Sequence, residues 1–144
     1  MMLRKLCETI LAACFATVFY AGNAFADPRG VWQAQDGANI RVMPCGQYLC
    51  AVLVKTKSPV DPETGQPWTD RHSHDSAERS RPLIGMAVLS QLAPEGQGKW
   101  SGQLYNVDTG DFYQGHLLEL NASTIRIEGC AAGMCGGQNL SRIK

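Results

Sequence analysis

Asp108-Thr109-Gly110 spells the tripeptide on which aspartic-protease chemistry runs, so it is the first place where this sequence offers a reaction. That chemistry needs two such aspartates sharing one proton, supplied by two lobes or by a dimer and buried beneath a flap. The chain carries one Asp-Thr-Gly, set between Asn106 and Asp111 instead of in apolar sequence. A turn accounts for more of the residues. An aspartate at its start and a glycine in a left-handed position fit a type I turn with a glycine bulge. The three-residue loop so formed predicts Tyr105 facing Tyr113 as an aromatic cross-strand pair. A hydrolase using acidic residues here is a further alternative.

Other groups with chemical potential lie in and after the polar stretch from Thr56 to Arg81. His72, His74, Asp75 and Glu78 offer imidazoles and carboxylates that suit a metal, since imidazoles two residues apart on an extended chain reach one ion. The plainer account is a solvated polar loop. His116 stands on a segment that also carries Leu118 and Leu120 on the same face, which predicts a residue lining or packing a barrel. No Ser-His-Asp or Cys-His set and no nucleophile-elbow pattern occurs, and no cofactor motif calls for one.

The N-terminus places the chain. Arg4 and Lys5 precede an apolar run from Ile10 to Ala21, and Ala24-Phe25-Ala26 supplies the small residues that a signal peptidase reads. Residues 1–26 are therefore expected to leave as a signal peptide, with a periplasmic or secreted domain over residues 27–144. The run is too short for a permanent transmembrane segment. Leu11-Ala12-Ala13-Cys14 fits a lipobox, but little apolar chain precedes Cys14 and Glu8 interrupts it. Without Arg4, Lys5 and Glu8, eleven basic and twelve acidic residues remain, a formal charge of −1 that makes no electrostatic case for nucleic acid. The remaining 118 residues suffice for one domain.

Processing also removes Cys7 and Cys14, leaving Cys45, Cys50, Cys130 and Cys135 in two matching C-x4-C pairs. Structural zinc favours tighter spacings, and free thiols persist in reducing compartments, so export points to disulfides. Of the three pairings, Cys45–Cys50 and Cys130–Cys135 are favoured because each brackets a four-residue loop, and residues facing across a hairpin base sit about 5.5 Å apart. Loops this small limit the gain to roughly 2 kcal/mol each, so pinning register is the greater effect.

Short alternating or β-branched runs separated by turn clusters, with no helical period, predict an all-β chain. The expected strands are Gly30 to Ala34, Asn39 to Pro44, Leu49 to Lys55, Leu83 to Leu92, Lys99 to Val107, Asp111 to Leu120, Thr124 to Gly129 and Gly137 to Ile143. Eight strands joined in sequence by mostly short connections suggest an up-and-down barrel, with a two-sheet sandwich as the alternative. Gly30-Val31-Trp32 is a G-x-W at the start of the first strand, and Arg142 lies near the end of the last. Closure makes those strands neighbours and lays the guanidinium on the indole, a contact of about 0.5–2 kcal/mol that plugs one end. This arrangement resembles the lipocalin and fatty-acid-binding superfamily.

A second resemblance spans most of the chain. GVWQ, PCGQYLCAVLV, Asp70, the run Arg79-Ser80-Arg81-Pro82-Leu83-Ile84-Gly85, WSGQLYNVDTGDFYQG and LSRI together look like the bacterial domain-of-unknown-function family 2147. The resemblance implies a secreted lipocalin-like barrel with no established activity. His72 and Ser73 stand where members often carry asparagines, and Leu140 and Ser141 where many have tryptophan and threonine.

Strand parity then assigns the ends. Trp32, Arg142 and the Cys45–Cys50 hairpin share the closed end, while the Asp108 turn, the long loop and the Cys130–Cys135 hairpin share the mouth. Asp70, Arg79, Arg81, Tyr105, Asp108, Tyr113 and His116 are the candidates for contact with a ligand there. The expected function is non-enzymatic binding of a small hydrophobic or amphipathic molecule in the barrel. An envelope protein-interaction module with a solid core, packed by such side chains as Trp100, Leu104, His116 and Leu118, is the alternative.

Overall fold

Each alternating run becomes a strand wherever a tight turn reverses the chain onto it. The computed structural model describes residues 27–144; the expected signal segment lies outside them. The strands are β1 (Gly30–Gln33), β2 (Asn39–Cys45), β3 (Tyr48–Lys55), β4 (Ala87–Pro94), β5 (Lys99–Asn106), β6 (Asp111–Asn121), β7 (Thr124–Ala131) and β8 (Met134–Arg142). Each pairs antiparallel with the next, and β8 returns to β1, closing one eight-stranded barrel. Among the described residues no helix is long and apolar enough to cross a membrane.

The half of the barrel nearest Asp27 and Lys144 is solid. Trp32, Val42, Leu89, Leu92, Leu117 and Ile125 converge there, each at most 1% exposed. Burying a side chain of this size contributes about 1.5–3 kcal/mol, so this layer supplies much of the driving force for closure. Inward positions alternate as the pleat requires: Trp100, Gly102 and Leu104 of β5 face Leu117, Gly115 and Tyr113 of β6.

Several boundaries differ from expectation, each for a local reason. Leu83 is not in a strand. Its N–H donates to the Trp68 carbonyl at 3.0 Å, and Thr69 bridges Pro82, so this part of the loop pairs with itself and β4 starts only at Ala87. Conversely, β7 and β8 extend until Ala131 faces Met134. Ala132 and Gly133 alone make the turn, both with positive φ, 51° and 77°, the pattern of a type I′ hairpin. Cys130 and Cys135 are thus opposite one another inside the strands, with Cα atoms 4.1 Å apart. The Gly46-Gln47 turn is equally tight. There Cys45 faces Tyr48 and Cys50 faces Met43, so the Cys45–Cys50 disulfide runs diagonally between strands, with a Cα separation of 5.8 Å.

The Asp-Thr-Gly hairpin is also corrected by one residue. Asn106 pairs with Asp111, leaving a four-residue loop from Val107 to Gly110. Asn106 organises it: its carbonyl accepts from Thr109 and Gly110, and its side chain accepts from the Asp108 N–H at 2.9 Å. Asp108 therefore does not start the turn. Tyr105 faces Phe112, ring centroids 4.8 Å apart, and Tyr113 faces Leu104. Gly110 has φ 76°, as expected, and a Cβ there would lie 2.1 Å from the His72 carbonyl oxygen.

Candidate functional site

The closed end is built around one cation. The Arg142 guanidinium carbon lies 4.1 Å from the Trp32 ring centroid. Its Nε donates to the Ala122 carbonyl at 2.9 Å, Nη1 to Arg29 at 2.8 Å and Nη2 to Asp27 at 2.7 Å. The indole N–H donates to the Pro28 carbonyl at 2.8 Å. Every polar edge of the pair is occupied by backbone, so this end is a plug and not an entrance.

At the opposite end the barrel holds a cavity of about 590 Å³. Ile40, Leu53, Leu104, Ile127 and Leu140 form its apolar wall, and Tyr113 points into the same space. Asp36, Lys57, Arg71, His72 and Asp108 stand around the opening. An apolar floor with a charged rim suits a molecule that is apolar over most of its length and polar at one end. Trp68 also lines the cavity; its indole donates to the Ser58 carbonyl at 3.0 Å, and Lys57 Nζ lies 4.9 Å from its ring centroid.

The long loop is anchored by a buried carboxylate. Asp70 is fully buried, and its oxygens accept from the Tyr105 hydroxyl at 2.8 and 2.9 Å and from Arg81 Nη2 at 2.8 Å and Nε at 3.1 Å. Arg81 also reaches Glu78 at 2.6 Å. Burial and the bond to Asp70 raise the Tyr105 hydroxyl above its ordinary pKa of 10.0. Burial works against the Arg81 charge, but the Asp70 and Glu78 carboxylates outweigh it and raise its pKa. These residues were candidates for ligand contact; the structure brings Asp70, Arg81 and Tyr105 together with one another. Tyr105 lines the cavity as well, while Asp70, Arg79 and Arg81 do not. Arg79 donates its Nε to the Ser73 carbonyl at 2.9 Å.

A second, exposed link joins the loop to the hairpin: His74 Nε2 lies 3.0 Å from Asp111 Oδ1. The Thr109 hydroxyl and then His74 lower the Asp111 pKa below its ordinary 3.8. The expected metal group is dispersed. His72 lines the cavity, His74 meets Asp111, the Asp75 side chain caps the short 3-10 turn Ser76–Glu78, and Glu78 meets Arg81. Among the described residues the one gathering of three metal-type ligands is Glu128, Cys130 and Cys135, whose two sulfurs are joined to each other.

His116 is buried, but not in the lumen. It pairs across from Ser101 on the outer face, where its Nδ1 lies 2.7 Å from Ser101 Oγ and 3.7 Å from Glu95 Oε2, and Ser101 also bonds Glu95. A nucleophile relay needs serine and carboxylate on different ring nitrogens; both meet the same one here. Leu118 shares this outer face. Of the side chains expected to fill the lumen, only Trp100 and Leu104 turn inward. The wall residues Ile40, Leu53, Ile127 and Leu140 were legible as the apolar members of their alternating strands, yet no motif singled them out.

A lipocalin-like barrel, plugged at one end and hollow at the other, is the class these features define. The chain belongs to the family described as uncharacterized proteins conserved in bacteria, domain of unknown function 2147, which matches residues 30–142. Its fold is similar to the solved structure of a protein from the human pathogen Helicobacter pylori that belongs to the lipocalin family. The TM-score is 0.69 at 16% identity, over 83% of this chain and 84% of that one. No curated protein matches the sequence.

Proposed function

We propose that this protein is exported and binds a small, partly apolar molecule in the mouth half of its barrel, without catalysis. The cavity of about 590 Å³, apolar within and charged at the rim, carries the reading. It falls within the usual size of small-molecule sites, roughly 300–1,000 Å³. Two disulfides and the N-terminal basic and apolar pattern support residence in the periplasm or beyond. The hollow upper half favours ligand binding over an interaction module with a solid core.

The test is organic extraction and mass spectrometry of protein purified from its own periplasm. A stoichiometric amphipathic compound is expected, and a Leu104→Trp protein, whose larger side chain occupies the cavity, should yield none. Extracts in which the two proteins are equally empty would overturn the reading.

A further inference from the structure

β8 has one finished side and one open side. Toward β7 it is paired from Met134 to Ser141 with no shift of register. Toward β1 it is paired only at Ser141 and Arg142. The cause is length: β1 ends at Gln33, and the chain turns back at once, the Ala34 N–H donating to the Ala38 carbonyl at 2.8 Å. Residues Met134 to Asn139 therefore have no strand partner on that side among the described residues, and all six are exposed.

The direction of the backbone groups follows from their neighbours. The Arg142 N–H donates to the Ser123 carbonyl at 2.9 Å, toward the β7 side, and the Ile143 N–H donates to Val31 at 2.8 Å, toward the β1 side. Alternation puts the N–H and C=O of Cys135, Gly137 and Asn139 on the open side. The 4.1 Å Cα separation of Cys130 and Cys135 agrees, being that of an antiparallel pair whose own backbone groups point away from each other.

Exposed edges are ordinarily blunted by charge, proline or a bulge. The open stretch of β8, Met-Cys-Gly-Gly-Gln-Asn, has no charge and no proline, and its pairing with β7 has no bulge. It is also held rigid, by the disulfide to Cys130 and the two-residue turn. Gly137 fits where a Cβ would lie 2.0 Å from the Ile127 carbonyl oxygen. Gly136, Gly137 and Gln138 line the cavity from this flank, and Ala34, Asp36 and Ala38 line it from the facing hairpin.

We propose that the open edge of β8 binds an extended polypeptide segment, added as a further strand beside Cys135 to Asn139. Such addition uses main-chain bonds for affinity and alternate side chains for specificity. Here the inward side chains of the added strand pass through the flank into the cavity, so the partner is uncharged and apolar at every second residue. A second copy of this chain fits less well, because symmetric pairing centred on Gly137 sets glycine against glycine there and brings only Gly136 and the polar Gln138 of the copy to the cavity flank, where the wall asks for apolar side chains. The proposal rests on the cavity's position and not on any small molecule occupying it.

The test is amide hydrogen exchange, read by NMR on the labelled protein, with and without a blocked heptapeptide of alternating valine and threonine. The peptide should slow exchange at Gly137 and Asn139 by about tenfold or more. An Asn139→Pro protein should bind at least about tenfold more weakly while keeping β7–β8 protection, since that N–H lies outside the ladder and edge strands accept proline. If that variant fails to fold, the same peptide N-methylated at alternate residues, used with the unaltered protein, should lose binding on one of its two edges. Equal binding by both N-methylated forms, or peptide effects confined to the cavity wall, overturns the proposal. Protection that rises with protein concentration alone also overturns it and assigns the edge to a second copy. A small molecule recovered by extraction leaves these exchange results unchanged, so the two readings fail separately.

Discussion

Tyr105 ties a strand to a loop that precedes it by more than thirty residues, and its hydroxyl is the group to remove. Tyr105→Phe leaves the buried Asp70 with only Arg81 and should destabilise the fold by about 1–3 kcal/mol in denaturant titration. Because the folded pKa of this phenol is raised above 10.0, its contribution is complete below that pH and is lost as pH climbs past it. Alkaline unfolding of Tyr105→Phe should accordingly be less steep than that of the unaltered protein. Asp111 shows the opposite sign. Its pKa lies below 3.8, so the link to His74 holds at neutral pH and fails only as acid brings the carboxylate through that lowered value. In an NMR titration, His74→Ala should move the Asp111 midpoint upward. The Asp108-Thr109-Gly110 sequence was readable as a turn because glycine and aspartate have strong local preferences. The role of Asp70 was not, since an aspartate in a polar loop carries no mark of the distant tyrosine that buries it.

At the scale of elements, turns decide register, and small errors in them move side chains. Reading a three-residue loop where Asn106 closes a four-residue one exchanged Phe112 for Tyr113 as the partner of Tyr105. The strands themselves were legible from alternation, and the cysteine spacing gave both disulfides, because apolar periodicity and local loop closure are properties of nearby residues. The start of β4 was not legible, since Leu83 looks like a strand residue until the other limb of its loop captures it. Gly110 is where an element's geometry depends on another element's backbone. Gly110→Ala should cost about 1–3 kcal/mol through its left-handed φ. It should also push back the His72 carbonyl, seen as faster amide exchange over residues 70–75 than in the unaltered protein.

For the whole molecule, closure was anticipated by Trp32 and Arg142, two residues at opposite ends of the chain whose stacking makes sense only if the first and last strands meet. What no local pattern conveyed was that β1 is too short to cover β8 along its length, since the shortfall exists only between strands that are neighbours in space. Arg142→Ala removes the ring contact and three backbone acceptors' donors together, and should destabilise the barrel by about 2 kcal/mol or more, measurable as a lowered Tm. The same contacts have a topological consequence. With Asp27 and Arg29 held by Arg142, and the Val31 N–H donating to the Lys144 carbonyl at 2.8 Å, the first and last of the described residues lie side by side. The barrel is in effect a ring of strands whose starting point is arbitrary. Joining Lys144 to Asp27 by a short linker and reopening the chain between Ala132 and Gly133 should give a permuted protein with the same circular dichroism, its new ends stapled by Cys130–Cys135.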